Sequence, residues 1–218
     1  MIALITGASR GLGYAVSAAL AHTHHVIAVA RTTGALEDLD DVIQAQGGAA
    51  TLVPLDLNDS DGVSRMCAAI YERWGGVDLW VHTAAQAAPL SPAHHIAPKD
   101  FAKSLSLHAT VTSDLIAKID PLLRPKKGTA VYMSDDHVGA KFFGTYAVAK
   151  SAEGALFSTW AKETEKQDIE IVSFAPQPMP TSTRARFYPG ENRSSLASPA
   201  DEAQRLLDVL KIKVAAQA

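Results

Sequence analysis

Short apolar runs alternate along this chain with longer stretches in which apolar residues recur every three or four positions. The first run, Ile2 to Ile5, suits a strand buried on both faces, and the pattern from Tyr14 to Ala21 suits a helix. The alternation continues. It predicts strands at Val26–Ala30, Ala50–Leu55, Leu79–Thr83, Thr129–Met133 and Glu170–Ala175, with helices at Gly34–Gln46, Ser60–Trp74, Pro98–Ile119, Thr145–Gln167 and Pro199–Leu210. No internal repeat interrupts the series. Strands alternating with helices predict a single α/β domain over 1–218, a doubly wound parallel sheet with helices on both faces. In such a sheet ligands gather at the carboxyl ends of the strands, where the strand order reverses. The least regular stretch, Gln177 to Pro199, is rich in Pro, Ser and Arg and reads as mobile.

The 218 residues suffice to bury one core, and 47% hydrophobic content with 20% charged residues is ordinary for a soluble globular protein. A net charge of −3, without an arginine stripe, zinc-ligand spacing or basic tail, argues against a nucleic-acid partner. The single cysteine, Cys67, excludes an internal disulfide and suits a reducing compartment, with a small buried side chain as its simplest role. No apolar run reaches the ~18 to 20 residues that span a membrane. With a strand starting at Ile2, the expectation is a cytoplasmic protein without a signal peptide. His22, His24 and His25 cluster before the second strand, and His94 and His95 precede the long helix. Lacking carboxylate or cysteine partners, they read as solvated surface, and no metal is expected.

Chemistry enters at two places. In TYAVAKSAEGA, Tyr146 and Lys150 stand four positions apart, which on a helix puts phenol and ammonium on one face. A cation beside a phenol favours the phenolate, so a group that titrates near ~10 in a short peptide becomes able to exchange a proton with a substrate oxygen or nitrogen close to neutral pH. By itself the pair also fits a plain amphipathic helix with Tyr146 packed and Lys150 solvated. The second place is ITGASRGLG, where Gly7, Gly11 and Gly13 follow the first strand and precede the first helix. Glycines let the backbone turn sharply and approach a pyrophosphate, while the first N–H groups of the helix supply donors and partial positive charge. Together the two motifs imply dinucleotide-dependent proton and hydride transfer. An acidic residue at the end of the second strand would bond the ribose 2′-hydroxyl of NAD, but here stand Ala30 and Arg31. Arg31, with Arg10 inside the glycine loop, points to the 2′-phosphate of NADP(H).

On TGASRGLG and YAVAK, the chain resembles the short-chain dehydrogenase/reductase family from Ile2 to about Thr181. LDLND at Leu55 to Asp59, VDLWVHTAA at Val77 to Ala85 and the FAPQPMPT segment ending at Thr181 carry the likeness further. The resemblance implies a single Rossmann-type domain and an NAD(P)-dependent enzyme that reduces a carbonyl or oxidises an alcohol. In it Tyr146 is the acid/base and Lys150 holds the nicotinamide ribose. Cofactor contacts are implied along the loop, at Gly7, Ser9, Arg10, Gly11, Leu12 and Gly13. Others are implied at Asp56 and Leu57 beside the adenine, with a helix N-cap as the other reading of Asp56. Thr83, Ala84 and Ala85 follow the fourth strand, and Pro176, Met179 and Thr181 lie on the nicotinamide side. The family also makes the segment of about 177–199 the lid over the substrate, and leads to a homodimer through the helices Pro98–Ile119 and Thr145–Gln167.

The chain departs from the pattern of the family it resembles at several positions. The family serine that holds the substrate oxygen is the second of a Ser-Ser pair; here the pair is Ser134-Asp135, in a loop shortened by a few residues, and which of the two fills the role stays open. The family asparagine that supports a proton-relay water aligns with His108. Asn-Asn-Ala-Gly becomes His82-Thr83-Ala84-Ala85, the Pro-Gly turn becomes Pro176-Gln177, and no glycine-rich final strand follows the last helix. Asp135, Asp136 and His137 either touch substrate or cap a turn. The sequence thus points to an NADPH-dependent reductase of a small carbonyl or imine compound, with Tyr146, Lys150, Ser134, Asp135 and His108 as candidate catalytic residues. A carboxylate at Asp135 would suit a cationic iminium substrate. The other readings are a non-catalytic NADP-binding sensor or a redox-neutral enzyme on the same scaffold. Retention of both Tyr146 and Lys150 favours catalysis, because a sensor needs neither.

Overall fold

Six parallel strands, β1 (Ile2–Thr6), β2 (His25–Ala30), β3 (Ala50–Pro54), β4 (Leu79–His82), β5 (Thr129–Met133) and β6 (Glu170–Phe174), form one sheet in the order β3-β2-β1-β4-β5-β6. The computed structural model describes residues 1–212. The chain steps outward from β1 to β3 and returns to β4 on the far side of β1, so the order reverses between β1 and β4. The helices are α1 (Gly11–Leu20), α2 (Thr33–Ala45), α3 (Ser60–Trp74), α4 (Pro98–Leu105), α5 (Thr112–Leu123), α6 (Gly144–Glu163), α7 (Ser182–Phe187) and α8 (Pro199–Val209). No helix among the described residues is long and apolar enough to cross a membrane.

The strands read as unbroken apolar runs because both faces of the sheet are covered. Ala3 and Ile5 of β1 pack with Val16 of α1, Leu39 of α2 and Leu206 of α8. Leu4 faces the opposite layer, with Ile70 of α3, Leu115 of α5 and Phe157 of α6. This is the doubly wound arrangement that the sequence predicts. Asp59 starts α3 by accepting a bond from Gly62 N–H at 2.9 Å, and Gly75 ends it at φ 73°. Asp56 is therefore not the N-cap. It accepts from Asn58 N–H at 3.0 Å and from Asn58 Nδ2 at 2.8 Å, and the backbone bond, then the side-chain bond, hold its carboxyl below the usual range.

Three expectations are corrected. The long helix expected over Pro98–Ile119 is α4 and α5 joined by a π-helical turn, Ser106–Val111, that contains His108. The irregular segment 177–199 carries α7, capped by Thr181 Oγ1 accepting from Arg184 N–H at 3.2 Å, and a 3₁₀ turn at Arg193–Ser195. Arg184 then holds Glu191 with two bonds of 2.8 and 2.6 Å. The histidines before β2 are not all solvated: His24 is buried, and His25 Nε2 lies 2.8 Å from Thr51 Oγ1 with its ring against Trp74. Burial lowers the pKa of both. Cys67 is buried in α3, which pushes its thiol up to about 11. The expectation that no strand follows the last helix falls partly on residues 213–218, outside the described residues.

Candidate active site

At the reversal between β1 and β4 the carboxyl edge of the sheet opens into a cleft of about 650 Å³, a size typical of small-molecule and cofactor sites. Gly7 leaves β1 at φ 95°, and a Cβ there would lie 2.6 Å from Ala84 N, so only glycine lets this loop lie against the end of β4. α1 then begins with no side chain capping its first N–H groups and no acidic residue in its first turn. Gly11, Leu12 and Gly13 line the cleft, so those free donors fit a phosphate. Ser9, Arg10, Arg31, Asp56 and Leu57 line it as well, as do Thr83, Ala84, Ala85, Pro176, Met179 and Thr181. Arg31 is exposed at the end of β2, and Arg10 Nη1 reaches Ser182 Oγ on α7 at 3.4 Å. The Pro176-Gln177 turn, despite its missing glycine, is anchored from α8: Gln177 N–H donates to Glu202 Oε2 at 2.8 Å.

α6 supplies the other wall. Tyr146, Lys150, Glu153, Phe157 and Trp160 form one buried stripe at helical spacing. Phe157 and Trp160 are set in the core beneath the sheet, which fixes the helix and holds the first three side chains at the strand ends. Tyr146 Oη donates to Asp135 Oδ2 at 2.8 Å. Asp135, rather than Ser134, therefore stands beside the phenol; Ser134 lines the cleft with its backbone N–H bonded to Phe174 O at 2.8 Å. Burial first, then the charge and hydrogen bond of Asp135, then Glu153, raise the Tyr146 phenol far above its ordinary range. This reverses the expectation of a phenolate near neutral pH. Lys150 does not offset these effects because its Nζ is already bound, donating to Met133 O at 2.7 Å and to the Glu153 carboxylate.

The DDHVG segment divides. Asp136 caps a turn by accepting from Val138 N–H at 3.0 Å, while Asp135 and His137 face the cleft. His137 Nδ1 lies 3.0 Å from Asp135 Oδ1 at an angle that makes no hydrogen bond, and its ring stacks on Phe143 at 4.2 Å. Phe143, Tyr146 and Phe187 form an apolar cluster that joins α7 to the cleft wall.

His108, alone among the candidates, lies behind the cleft lining, fully buried. Its Nε2 accepts from Gln86 N–H at 3.2 Å, so its proton sits on Nδ1, 3.0 Å from Glu153 Oε2. Parallel pairing sets Thr6 of β1 beside His82 of β4. Thr6 Oγ1 accepts from Trp80 Nε1–H at 3.1 Å and lies 2.7 Å from His82 Nδ1. His82 Nε2 lies 3.3 Å from Glu153 Oε1, and a carboxylate, which only accepts, calls for the His82 proton on that nitrogen. One buried carboxylate thus gathers Lys150, His108 and His82. Burial opposes the charge of Glu153, but the lysine and the bonds from the two histidines outweigh it and hold its carboxyl well below the usual range.

The sequence profile described as short chain dehydrogenase matches residues 1–192. This chain belongs to the short-chain dehydrogenase/reductase family. It is 29% identical over 178 residues to a fatty acyl-CoA reductase of Acinetobacter baylyi, an alignment covering 79% of this chain and 60% of that relative's length. A solved short chain dehydrogenase from Pseudomonas syringae superposes with a TM-score of 0.89 at 27% identity, covering 96% of this chain and 86% of the other. Another from Shigella flexneri 2a, complexed with NADP, gives 0.86 at 25% identity over 92% and 86%.

Within this family the nicotinamide cofactor implied by the glycine loop meets residues that fit it. The catalytic and cofactor residues named from the sequence line one cleft, His108 excepted, and the sequence reading passes over Glu153. Its signal was available, since Glu153 lies seven positions after Tyr146 on the same buried stripe.

Proposed function

We propose that this chain is an NADPH-dependent reductase of the short-chain type, acting on a small carbonyl or imine compound with Tyr146 as proton donor. The observation that carries the reading is the Tyr146 phenol, kept protonated and held 2.8 Å from Asp135 in the same cleft that the glycine loop lines. A phenol in that state is protonated at neutral pH and so carries the proton that reduction consumes. Bound NADPH would supply the hydride. Tyr146 Oη then protonates the substrate oxygen or nitrogen that receives the displaced electron pair. Lys150 has used two of its three N–H groups, leaving one for a ribose hydroxyl. For a cationic iminium, which needs no proton, Asp135 offers the counter-charge.

NADPH over NADH is supported by Arg31 at the end of β2 and by the NADP in the Shigella relative. The relative named a fatty acyl-CoA reductase supports the reductive direction. A homodimer through α4, α5 and α6 belongs to the same reading, since Val148, Ser151, Ala155 and Ser158 give α6 an exposed face without charge. Titration of both cofactors against protein fluorescence tests the cofactor assignment. NADPH is expected to bind at least tenfold tighter, about 1.4 kcal/mol, and Arg31→Ala to erase the difference. Equal affinities in the unaltered protein would overturn it.

A further inference from the structure

The least expected feature of the molecule is a carboxylate with almost no exposure directly behind the catalytic pair. Glu153 has a side-chain exposure of 1% and makes an ion pair with Lys150, itself 5% exposed. Such a pair could be merely structural, but three features tie it to the site. Lys150 Nζ sits between Glu153 and Met133 O, so its position is fixed from two sides. His82 and His108 each use one nitrogen on Glu153, and each has its second nitrogen occupied, by Thr6 Oγ1 and Gln86 N–H. The carboxylate therefore cannot swing toward another partner without leaving His108 Nδ1 unpaired and His82 Nε2 with only the longer contact to Thr112 Oγ1 at 3.5 Å. The His108 ring meets the Tyr146 ring edge-on at 6.0 Å, so the same cluster supports both members of the pair.

The charges around the phenol then count as follows. Asp135 and His137 face it from the loop after β5, and Phe187 of α7 covers it at 4.8 Å. Arg184, on the same lid helix, is occupied by Glu191. His108 approaches from the π turn and His82 stands behind on β4; Lys150 and Glu153 share its helix. One cation is matched by its own buried anion, and a second carboxylate touches the phenol.

We propose that Glu153, held by His82 and His108, is a positioning residue that fixes Lys150 and cancels its charge at the site, so that Tyr146 stays protonated until substrate is bound. The proposal rests on Tyr146 as the proton donor, but its test requires no turnover. Burial is the larger cause of the raised phenol, but Asp135→Ser removes the next two, the charge and the hydrogen bond of its carboxylate partner, and so lowers its ionisation. In that background the 13Cζ resonance of labelled tyrosine, assigned with Tyr146→Phe, reports the phenol directly. Adding Glu153→Gln leaves Lys150 uncancelled and is expected to lower the Tyr146 midpoint by a unit or more, about a tenfold gain in phenolate at fixed pH. Removing the pair together, Glu153→Leu with Lys150→Met, is expected to leave the midpoint within about half a unit, because buried pairs replaced whole are tolerated where half-pairs are not. The double replacement also decides the matter if the single one does not fold. An unmoved midpoint in Glu153→Gln, or a rise of a unit or more on removing the pair, would show that Lys150 acts unopposed and would overturn the proposal. Failure of NADPH-dependent reduction, by contrast, would leave these midpoints unchanged.

Discussion

Tyr146 Oη donates a hydrogen bond to Asp135 across 2.8 Å, and what each residue contributes can be separated by substitution. Tyr146→Phe keeps the ring in its apolar cluster and removes only the hydroxyl, so turnover is expected to fall by about a hundredfold or more while NADPH affinity stays nearly unchanged, measured by initial rates and fluorescence titration. Asp135→Ser should lower activity on cyclic imines and raise it on ketones, because it takes away the counter-charge and frees the phenol; Ser134→Ala should do less. Rates on matched imine and ketone substrates check this, and a ranking led by Ser134→Ala would return the role to the serine. The pairing of Tyr146 with Lys150 is legible in the sequence because helical spacing is local. The choice between Ser134 and Asp135 is not, since it depends on how a shortened loop is drawn across the end of a strand. Glu153 is easily passed over for another reason: a charged residue in a helix is ordinarily read as outward-facing, and only its place on the stripe of Tyr146, Phe157 and Trp160 says otherwise.

The elements follow the periodicity closely, with α3 matching its expected span of Ser60–Trp74. Besides the short α7, the long helix departs from it, because a 3.6-residue pattern does not register one added residue. The π turn Ser106–Val111 widens the helix where it passes the cleft and carries His108 into the core, a common use of such turns at functional sites. At α7, the two hydrogen bonds from Arg184 to Glu191 are partly exposed, so their loss should change global stability little. Its effect should be local. Glu191→Ala is expected to raise the Michaelis constant for substrate and to speed proteolytic nicking within the lid, with NADP(H) slowing the cuts. Limited digestion followed by mass spectrometry reads both effects, and unchanged cleavage would mean that the apolar cluster around Phe187 holds the lid unaided.

For the molecule as a whole, the buried network sets a limit in acid. The folded carboxyl of Glu153 lies below the ordinary 4.5, so its contribution to stability is complete above that value and is lost as pH falls through the folded one. Melting temperature should therefore hold from neutral pH to about 4.5 and decline below it, with Glu153→Gln melting lower at neutral pH but declining less in acid. Parallel slopes for the two proteins would assign the acid limb to other carboxylates. At the opposite extreme of reactivity stands Cys67, one thiol in the whole chain, buried and pushed up to about 11. Folded protein should barely react with Ellman's reagent and should release one equivalent when unfolded. The molecule is in effect a blank background for thiol labelling, so a cysteine introduced at exposed Arg193 becomes a single address for a fluorophore that reports the lid in real time.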